Sequence, residues 1–324
     1  MKHRPSPRQR DDERPYPISD SMDNETPVYA PLPMDDGMPD VSQSFIGDLA
    51  NPTIVRALLR RHSIQPKKGL GQHLLVDRDA LDATVAAADL TPADAVLEVG
   101  AGPGVLTVEL AARARRVVAV EVDRELLPLL SETTARFPNV EILNADLLTV
   151  DPDQVFGATP YKLVANLPYY ITAPTLRHFL EATRPPERMV VMTQYEVAQR
   201  MVARPGAMSL LSVSVQFYGR ATLVTRVPAS AFFPPPQVDS AIVRVDVAPE
   251  PPLTGAARDR LFALAHAGFA EKRKQLHNSL ARNLHESAET ISRWLAAADI
   301  EPTRRAQTLS LDDWLRLTAV VLGG

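Results

Sequence analysis

The sequence predicts an α/β fold: a mostly parallel sheet with helices on both faces, closed by antiparallel strands and followed by a small helical domain. Short apolar runs alternate with segments of helical spacing between about residues 95 and 193, a pattern typical of a parallel sheet. Several of these runs end in a polar residue, as strands do where an open sheet binds its ligands. Beyond residue 249 only helical spacing remains.

Length and composition narrow the class of protein. The chain has 324 residues, enough for two domains with full cores. No apolar run is long enough to span a bilayer, and the N-terminus lacks the apolar core of a secretory signal. The absence of cysteine excludes disulfides and thiolate metal sites and fits a cytoplasmic protein. The seven histidines form no metal-binding pattern, so we expect no metal.

Charge and proline divide the chain into three parts. Residues 1–50 hold 5 Lys and Arg against 10 Asp and Glu and are rich in Pro, which predicts a disordered tail. Residues 51–248 form the predicted α/β domain, and residues 249–324 form the helical domain after a Pro-rich linker. The folded part has a net charge of +1, so any binding to nucleic acid must come from local patches.

The first elements after the tail are helical. Pro52 begins a predicted helix that ends in two arginines. A cationic, glycine-containing loop with Lys67 and Lys68 follows, and a second helix is expected over residues 78–88.

A glycine loop follows the first strand. Residues 95–99 form an apolar strand, Gly100, Gly102 and Gly104 follow, and a helix is expected over residues 105–114. Strand, glycine loop and helix together are typical of a nucleotide site. The third glycine comes one residue earlier than in the dinucleotide fingerprint, which disfavours a nicotinamide-dependent oxidoreductase.

Three carboxylates end the strands around this loop. Glu98 precedes the glycines, Glu121 ends the second strand and Asp146 ends the third. Their order suits S-adenosylmethionine (SAM): Glu98 for its cationic amine, Glu121 for the ribose hydroxyls and Asp146 for the adenine amino group. The alternatives are a strand cap at Glu98, a surface carboxylate at Glu121 and a helix N-cap at Asp146.

The fourth strand ends in the most informative stretch, Asn166-Leu167-Pro168-Tyr169. The Asn166 carboxamide offers an acceptor and donors. Pro168 fixes the backbone and has no N–H, so the Leu167 carbonyl can face a ligand. With the flat ring of Tyr169, these groups suit a planar base that carries an exocyclic amine. For such a motif in isolation, a plain β-turn is the alternative.

Residues 189–193 are the fifth strand, and a helix over residues 195–203 follows it. Alternating residues at 210–217 and 241–247 predict the closing antiparallel pair. Between them, Phe232 and Phe233 precede three prolines, which make a stiff segment. We expect Phe232 to stack on a base opposite Tyr169 and Phe233 to fill the core; a linker with both rings in the core is the alternative.

The helical domain carries a basic run. Lys272, Arg273 and Lys274 lie near Arg258, Arg260 and Arg282 in sequence, which makes this the best candidate for binding RNA phosphates, extended by Lys67 and Lys68. A solvated charged surface is the alternative.

Together these segments resemble one family, the rRNA adenine N6,N6-dimethyltransferases. The resemblance covers residue 51 to the end and is carried by the stretches around Gly69–His73, Glu98–Gly104, Glu121–Asp123, Asp146, Asn166–Tyr169 and Phe232–Pro236. Leu167 and residues 269–274 favour the KsgA-type small-subunit rRNA dimethyladenosine transferases. The related 23S rRNA methylases typically have Ile at the Leu167 position.

The resemblance implies a Rossmann-like SAM-dependent methyltransferase that dimethylates two adjacent adenines in the 3′-terminal hairpin of small-subunit rRNA during assembly of the pre-30S particle. It implies SAM contacts at His73, Leu75, Gly100, Glu121, Asp146 and Asn166, to which the glycine loop adds Gly102. Two positions depart from the family, which usually has Asn at His73 and often at Tyr170. We expect a monomeric, cytoplasmic enzyme; the alternatives are a 23S rRNA methylase and a non-catalytic RNA-binding assembly factor.

Overall fold

The computed structural model describes residues 49–323. The predicted disordered tail lies outside the described residues except for Leu49 and Ala50, which are buried. The strands are β1 (Leu74–Leu75), β2 (Ala95–Val99), β3 (Arg116–Glu121), β4 (Val140–Asn144), β5 (Tyr161–Asn166), β6 (Arg188–Gln194), β7 (Gly219–Val227), β8 (Phe232–Phe233) and β9 (Ser240–Val247). The helices are α1 (Pro52–Arg61), α2 (Arg78–Ala88), α3 (Val105–Ala111), α4 (Leu127–Thr134), α5 (Pro152–Phe156), α6 (Thr172–Leu180), α7 (Tyr195–Met201), α8 (Leu210–Tyr218), α9 (Gly255–Phe269), α10 (Leu276–Leu284), α11 (Ala288–Ala297) and α12 (Leu311–Gly323).

The main sheet has seven strands in the order β4-β3-β2-β5-β6-β9-β7. Its first five strands are parallel, and β9 pairs antiparallel with both β6 and β7. The predicted α/β class, with antiparallel closing strands and a helical C-terminal part, is confirmed. The carboxyl ends of β2, β3, β4 and β5 meet at one edge, because parallel strands point the same way.

The prediction of a strand at residues 210–217 is wrong. This segment is the helix α8, and the partner of β9 is β7, Gly219–Val227. The cause is local: Ser209 and Ser212 form a reciprocal capping box, which satisfies free N–H groups at a helix start. Alternating Ser and Val in the segment imitate a strand pattern, and the capping signal outweighs it.

The buried core continues from the sheet into the C-terminal helices. One cluster of buried side chains runs from Leu97 and Leu163 in the sheet, through Phe217 in α8, to Leu261 and Trp314 in α9 and α12. A Pro-rich segment separates β9 from α9. The division into domains at residues 248 and 249 stays a prediction.

Candidate active site

A cavity of about 400 Å³ opens at the carboxyl edge of the parallel strands. Its lining combines the loop before β1, the ends of β2 and β3, the turn after β4 and the turn after β5. The sequence-predicted residues that line it are His73, Gly100, Gly102, Glu121, Asp146, Asn166, Leu167, Pro168 and Tyr169. The structure therefore brings most of the residues predicted for a cofactor and for a base to one site, but not Leu75, Glu98 or Phe232.

The glycine loop places backbone close to the cavity. Gly100 has a φ of +75°, and a Cβ there would lie 3.3 Å from the Asn166 carbonyl oxygen. A side chain at this position would therefore be strained and tight against the β5 turn. Gly102 donates its N–H to Glu121 Oε2 (2.8 Å), which ties the loop to the neighbouring strand.

Glu121 is a buried carboxylate held by backbone donors. Its Oε2 accepts from Gly102 N–H and its Oε1 from Asp123 N–H, both at 2.8 Å. Burial raises the pKa of Glu121, and these N–H groups oppose the rise. Each carboxylate oxygen has more than one lone pair, so both can also accept hydrogen bonds from the hydroxyls of a bound ribose.

Asp146 combines a structural contact with a place in the cavity. Its Oδ1 accepts from Leu148 N–H (3.0 Å) and caps a short 3₁₀ turn, so the N-cap role considered from the sequence is confirmed. The residue is exposed and lines the cavity. A capping carboxylate keeps acceptor capacity for a ligand amine.

Glu98 lies beneath the glycine loop instead of in the main cavity. It lines a separate hollow of about 30 Å³ whose walls include Leu75, Gly100, Gly102 and Asn166. It is 1% exposed, and its Oε2 has no hydrogen-bond partner among residues 49–323. Burial raises the pKa of Glu98 to about 8; the Thr107 hydroxyl opposes the rise and the charge of Glu121 adds to it. A buried carboxyl with one unpartnered oxygen fits a site for a cationic group, which would lower this pKa.

The Asn166 side chain is oriented by a main-chain contact. Its Nδ2 donates to the His73 carbonyl (3.0 Å), so Oδ1 remains as an acceptor at the cavity. The Leu167 side chain is buried and its N–H donates to the Met192 carbonyl. No described residue donates to the Leu167 carbonyl. Two acceptor oxygens thus belong to adjacent residues of the cavity wall.

Two contacts hold the Tyr169 side chain in place. Its hydroxyl is hydrogen-bonded to Ser240 Oγ (2.7 Å), and its ring stacks on His73 with centroids 5.8 Å apart. The His73 Nδ1–H donates to the Pro234 carbonyl (2.7 Å). Burial raises the pKa of Tyr169, so the phenol stays neutral. The ring acts as a rigid aromatic surface.

Both phenylalanines of β8 pack against the core. Phe232 is 3% exposed and packs in the core, because β8 pairs antiparallel with β1 and places Phe232 opposite Leu75. Phe233 is only partly buried, and the guanidinium of Arg56 lies 4.6 Å from its ring centroid. The predicted stacking of Phe232 on a base is therefore wrong for this conformation, whereas Phe233 packs against the same core cluster while staying only partly buried.

Lys67 is also placed differently from its prediction as a phosphate contact. Its Nζ forms ion pairs with Asp123 (2.9 Å) and Glu125 (3.0 Å). Burial lowers the pKa of Lys67, but these hydrogen bonds and charges outweigh it and raise the pKa overall. Gln72 Nε2 donates to the second Asp123 oxygen (2.7 Å). The pair Lys67 and Gln72 thus fastens the loop before β1 to the end of β3.

No individual role was predicted for Asp123, Gln72 or Ser240, which position cavity residues. For Asp123 a signal existed, because it follows Glu121 by two residues and so lies on the same side of an extended segment. Gln72 and Ser240 act across long stretches of chain, and no local pattern marks such partners.

The remaining predicted RNA contacts lie on the surface. Lys68 is exposed, as are Lys272, Arg273 and Lys274 in the turn between α9 and α10. None of the last three has an ion-pair partner among residues 49–323. Their positive charge is therefore available to a polyanion.

Among residues 49–323, no group of three or more His, Cys, Asp or Glu side chains could hold a metal ion. None of the helices there has the length and apolar character needed to cross a membrane.

Comparison with known proteins identifies relatives over most of the chain. Residues 64–320 match the family model described as ribosomal RNA adenine dimethylase. A ribosomal RNA small subunit methyltransferase A from Dehalococcoides mccartyi is 48% identical over 266 residues, covering 82% of this chain and 91% of that protein. A protein of the same name from Pelotomaculum thermopropionicum is 45% identical over 279 residues, covering 82% and 95%.

Solved structures show the same similarity. The crystal structure of the 23S rRNA methyltransferase ErmE matches with a TM-score of 0.64 and 33% identity, over 76% of this chain and 98% of that one. A dimethyladenosine transferase from Plasmodium falciparum matches with a TM-score of 0.66 and 27% identity, over 76% and 96%.

Proposed function

The chain belongs to the ribosomal RNA adenine dimethylase family, and from this premise we propose that it is a SAM-dependent enzyme that dimethylates N6 of two adjacent adenines in the 3′-terminal hairpin of small-subunit rRNA. The similarity to small subunit methyltransferases A over more than 80% of the chain supports this substrate. The single observation that carries the chemistry is the pair of acceptors, Asn166 Oδ1 and the Leu167 carbonyl, at a cavity lined by Glu121 and Asp146.

The residues around the cavity fit SAM. Glu121 would accept from the ribose hydroxyls, Asp146 from the adenine amino group, and Glu98 would face the cationic methionine amine beneath the glycine loop. The close approach of Gly100 to the β5 turn leaves backbone, with no side chain between, beside the cofactor. When bound, SAM supplies a methyl group already activated by its sulfonium.

The target nitrogen needs help from the chain because its lone pair is delocalised into the adenine ring. Asn166 Oδ1 and the Leu167 oxygen would accept the two N6 hydrogens and favour a pyramidal nitrogen. They would also stabilise the positive charge that grows on N6, an interaction stronger in the transition state than in the ground state. No strong base is required, since the proton can leave to water afterwards.

Tyr169 would hold the adenine for this step. Its ring lines the cavity, and its hydroxyl is fixed by Ser240. His73 covers one face, so the base would stack on the other. A flipped base held between flat surfaces is the usual way to present a nucleobase to an enzyme.

The RNA itself would be held mainly outside the cavity. The exposed turn of Lys272, Arg273 and Lys274 offers phosphate contacts. We also propose that the natural substrate is a pre-30S particle and that the enzyme is a monomer. It would act in the cytoplasm, where that particle is made.

A methylation assay tests the proposal. The protein is incubated with methyl-labelled SAM and with unmethylated 30S subunits, and the rRNA is mapped by mass analysis. Four methyl groups on two adjacent adenines of the 3′ hairpin are expected. Isolated 23S rRNA is the control substrate, because the likeness to ErmE makes its methylation the second candidate. Binding to 30S subunits without transfer would instead indicate a non-catalytic assembly factor.

A further inference from the structure

Tyr170 is an exposed aromatic residue at the mouth of the cavity that the mechanism does not use. It is 62% exposed, and Val122 (52%) and Leu148 (38%) are the other exposed large apolar side chains of the cavity wall. Only six such exposed side chains occur among residues 49–323, and three of them surround this one cavity. Apolar surface concentrated in this way indicates a binding surface.

The segment around Gly71 lies against one edge of the Tyr170 ring. A Cβ on Gly71 would lie 3.4 Å from Tyr170 Cε1 and 3.2 Å from Pro168 Cβ, and Gly71 has a φ of +62°. The loop that contains Gly71 is fastened to the end of β3 through Lys67, Gln72 and Asp123. One edge of the ring therefore has a fixed support, while most of its surface stays open.

The position of the ring within the cavity points to the adenine end of the cofactor. Tyr170 and Asp146 line the same cavity, and burial and the charge of Asp146 both raise the pKa of Tyr170. Asp146 is the acceptor proposed for the cofactor's adenine amino group. The neighbouring apolar residues Val122 and Leu148 lie at the ends of the segments that carry Glu121 and Asp146.

We propose that Tyr170 is a wall of the adenine subsite and stacks on the adenine of SAM, with Val122 and Leu148 as further apolar contacts. The inference rests on the proposed function and deepens it. It assigns a binding role to a position at which the resemblance implies that the family often has Asn. The alternative is that the Tyr170 ring stacks on an RNA base next to the target adenine.

Calorimetry with the full-length protein distinguishes stacking on the cofactor from stacking on RNA. The ligands are S-adenosylhomocysteine and 5′-methylthioadenosine, which share adenine and ribose but differ in the methionine part. Tyr170→Phe keeps the ring, so it should bind both ligands within twofold of wild type. Tyr170→Asn removes the ring and should weaken both by the same factor, roughly three- to tenfold, the size of an aromatic stacking contact at a partly exposed site. The Kd for small-subunit rRNA should stay unchanged.

Val224→Asn is the matched control, because Val224 is an exposed apolar residue (39%) on β7 that does not line the cavity. It should change neither affinity. Because the ring is exposed, Tyr170→Asn should melt within a few degrees of wild type without ligand, which excludes a folding defect. Wild-type affinity of Tyr170→Asn for both nucleosides would overturn the inference, and a weaker rRNA Kd beside it would assign the ring to RNA. Neither result affects the proposed function, which depends on methyl transfer by the wild-type protein.

Discussion

Replacing Asn166 by Ala tests the acceptor pair directly. The substitution removes Oδ1 from the cavity and leaves the His73 carbonyl without the donor now 3.0 Å away. Loss of one group aimed at charge developing in a transition state typically lowers kcat by about 10²–10³-fold, or roughly 2.7–4 kcal/mol. We expect a loss of this size in single-turnover methyl transfer with both substrates saturating.

Two other quantities should change less. The contacts proposed for SAM at Glu121 and Asp146 remain, so SAM should bind Asn166→Ala no more than about tenfold more weakly, since one hydrogen bond contributes about 1 kcal/mol. Asn139→Ala is the control, because that carboxamide also donates to main-chain carbonyls, of Ala111 and Ala114, but does not line the cavity. It should lower stability and keep kcat. A kcat of Asn166→Ala within tenfold of wild type would refute the role of the amide.

Three further experiments test other parts of the structure. Replacing residues 272–274 by Gln should lower the steepness of the salt dependence of RNA binding, the slope of log association constant against log salt concentration, by about 2–3. Arg282→Gln should lower this slope less, because the charge of Arg282 is already paired with Glu271. An unchanged slope in the triple variant would exclude this surface as an RNA contact. The pKa of Glu98, about 8 against an ordinary 4.5, means that the folded chain holds an extra proton between these values. The free energy of unfolding should therefore fall as pH rises through this window, by at most ~1.4 kcal/mol per pH unit. In Glu98→Gln, the free energy of unfolding measured with urea should depend less on pH. An equal pH dependence in both proteins would contradict the raised pKa. Phe232→Ala should destabilise by about 3–5 kcal/mol and Phe233→Ala by less than half of that in the same unfolding assay, and the reverse order would contradict the deeper burial of Phe232.

The parallel part of the sheet could be predicted because each of its strands has a recognisable local sequence pattern. Leu163, Val164 and Ala165 form a buried apolar run that ends at a polar amide, β3 is an apolar run that ends at Glu121, and β2 is a buried run with Glu98 just before its last residue. The cofactor and base residues could be predicted to meet for the same reason, since parallel strands end at one edge. The antiparallel closure was harder, because the Ser and Val of α8 alternate as a strand would, and only the capping box distinguishes them.

The errors at individual side chains have a different cause. Which of Phe232 and Phe233 is buried depends on the pairing of β8 with β1, two segments about 160 residues apart. The pairing of Lys67 with Asp123 spans 56 residues. A sequence shows the charge or the ring but does not show its partner across such distances, so exposure and ion pairing could not be predicted there.

The central claim is that one carboxamide oxygen and the next carbonyl oxygen hold the amine of a target adenine. A crystal structure of the protein with S-adenosylhomocysteine and a short RNA that contains the two adenines tests this claim most directly. We predict N6 of one adenine within about 3.2 Å of both Asn166 Oδ1 and the Leu167 oxygen, a hydrogen-bond distance. An adenine bound elsewhere, or N6 facing the Asn166 amide nitrogen, would contradict it.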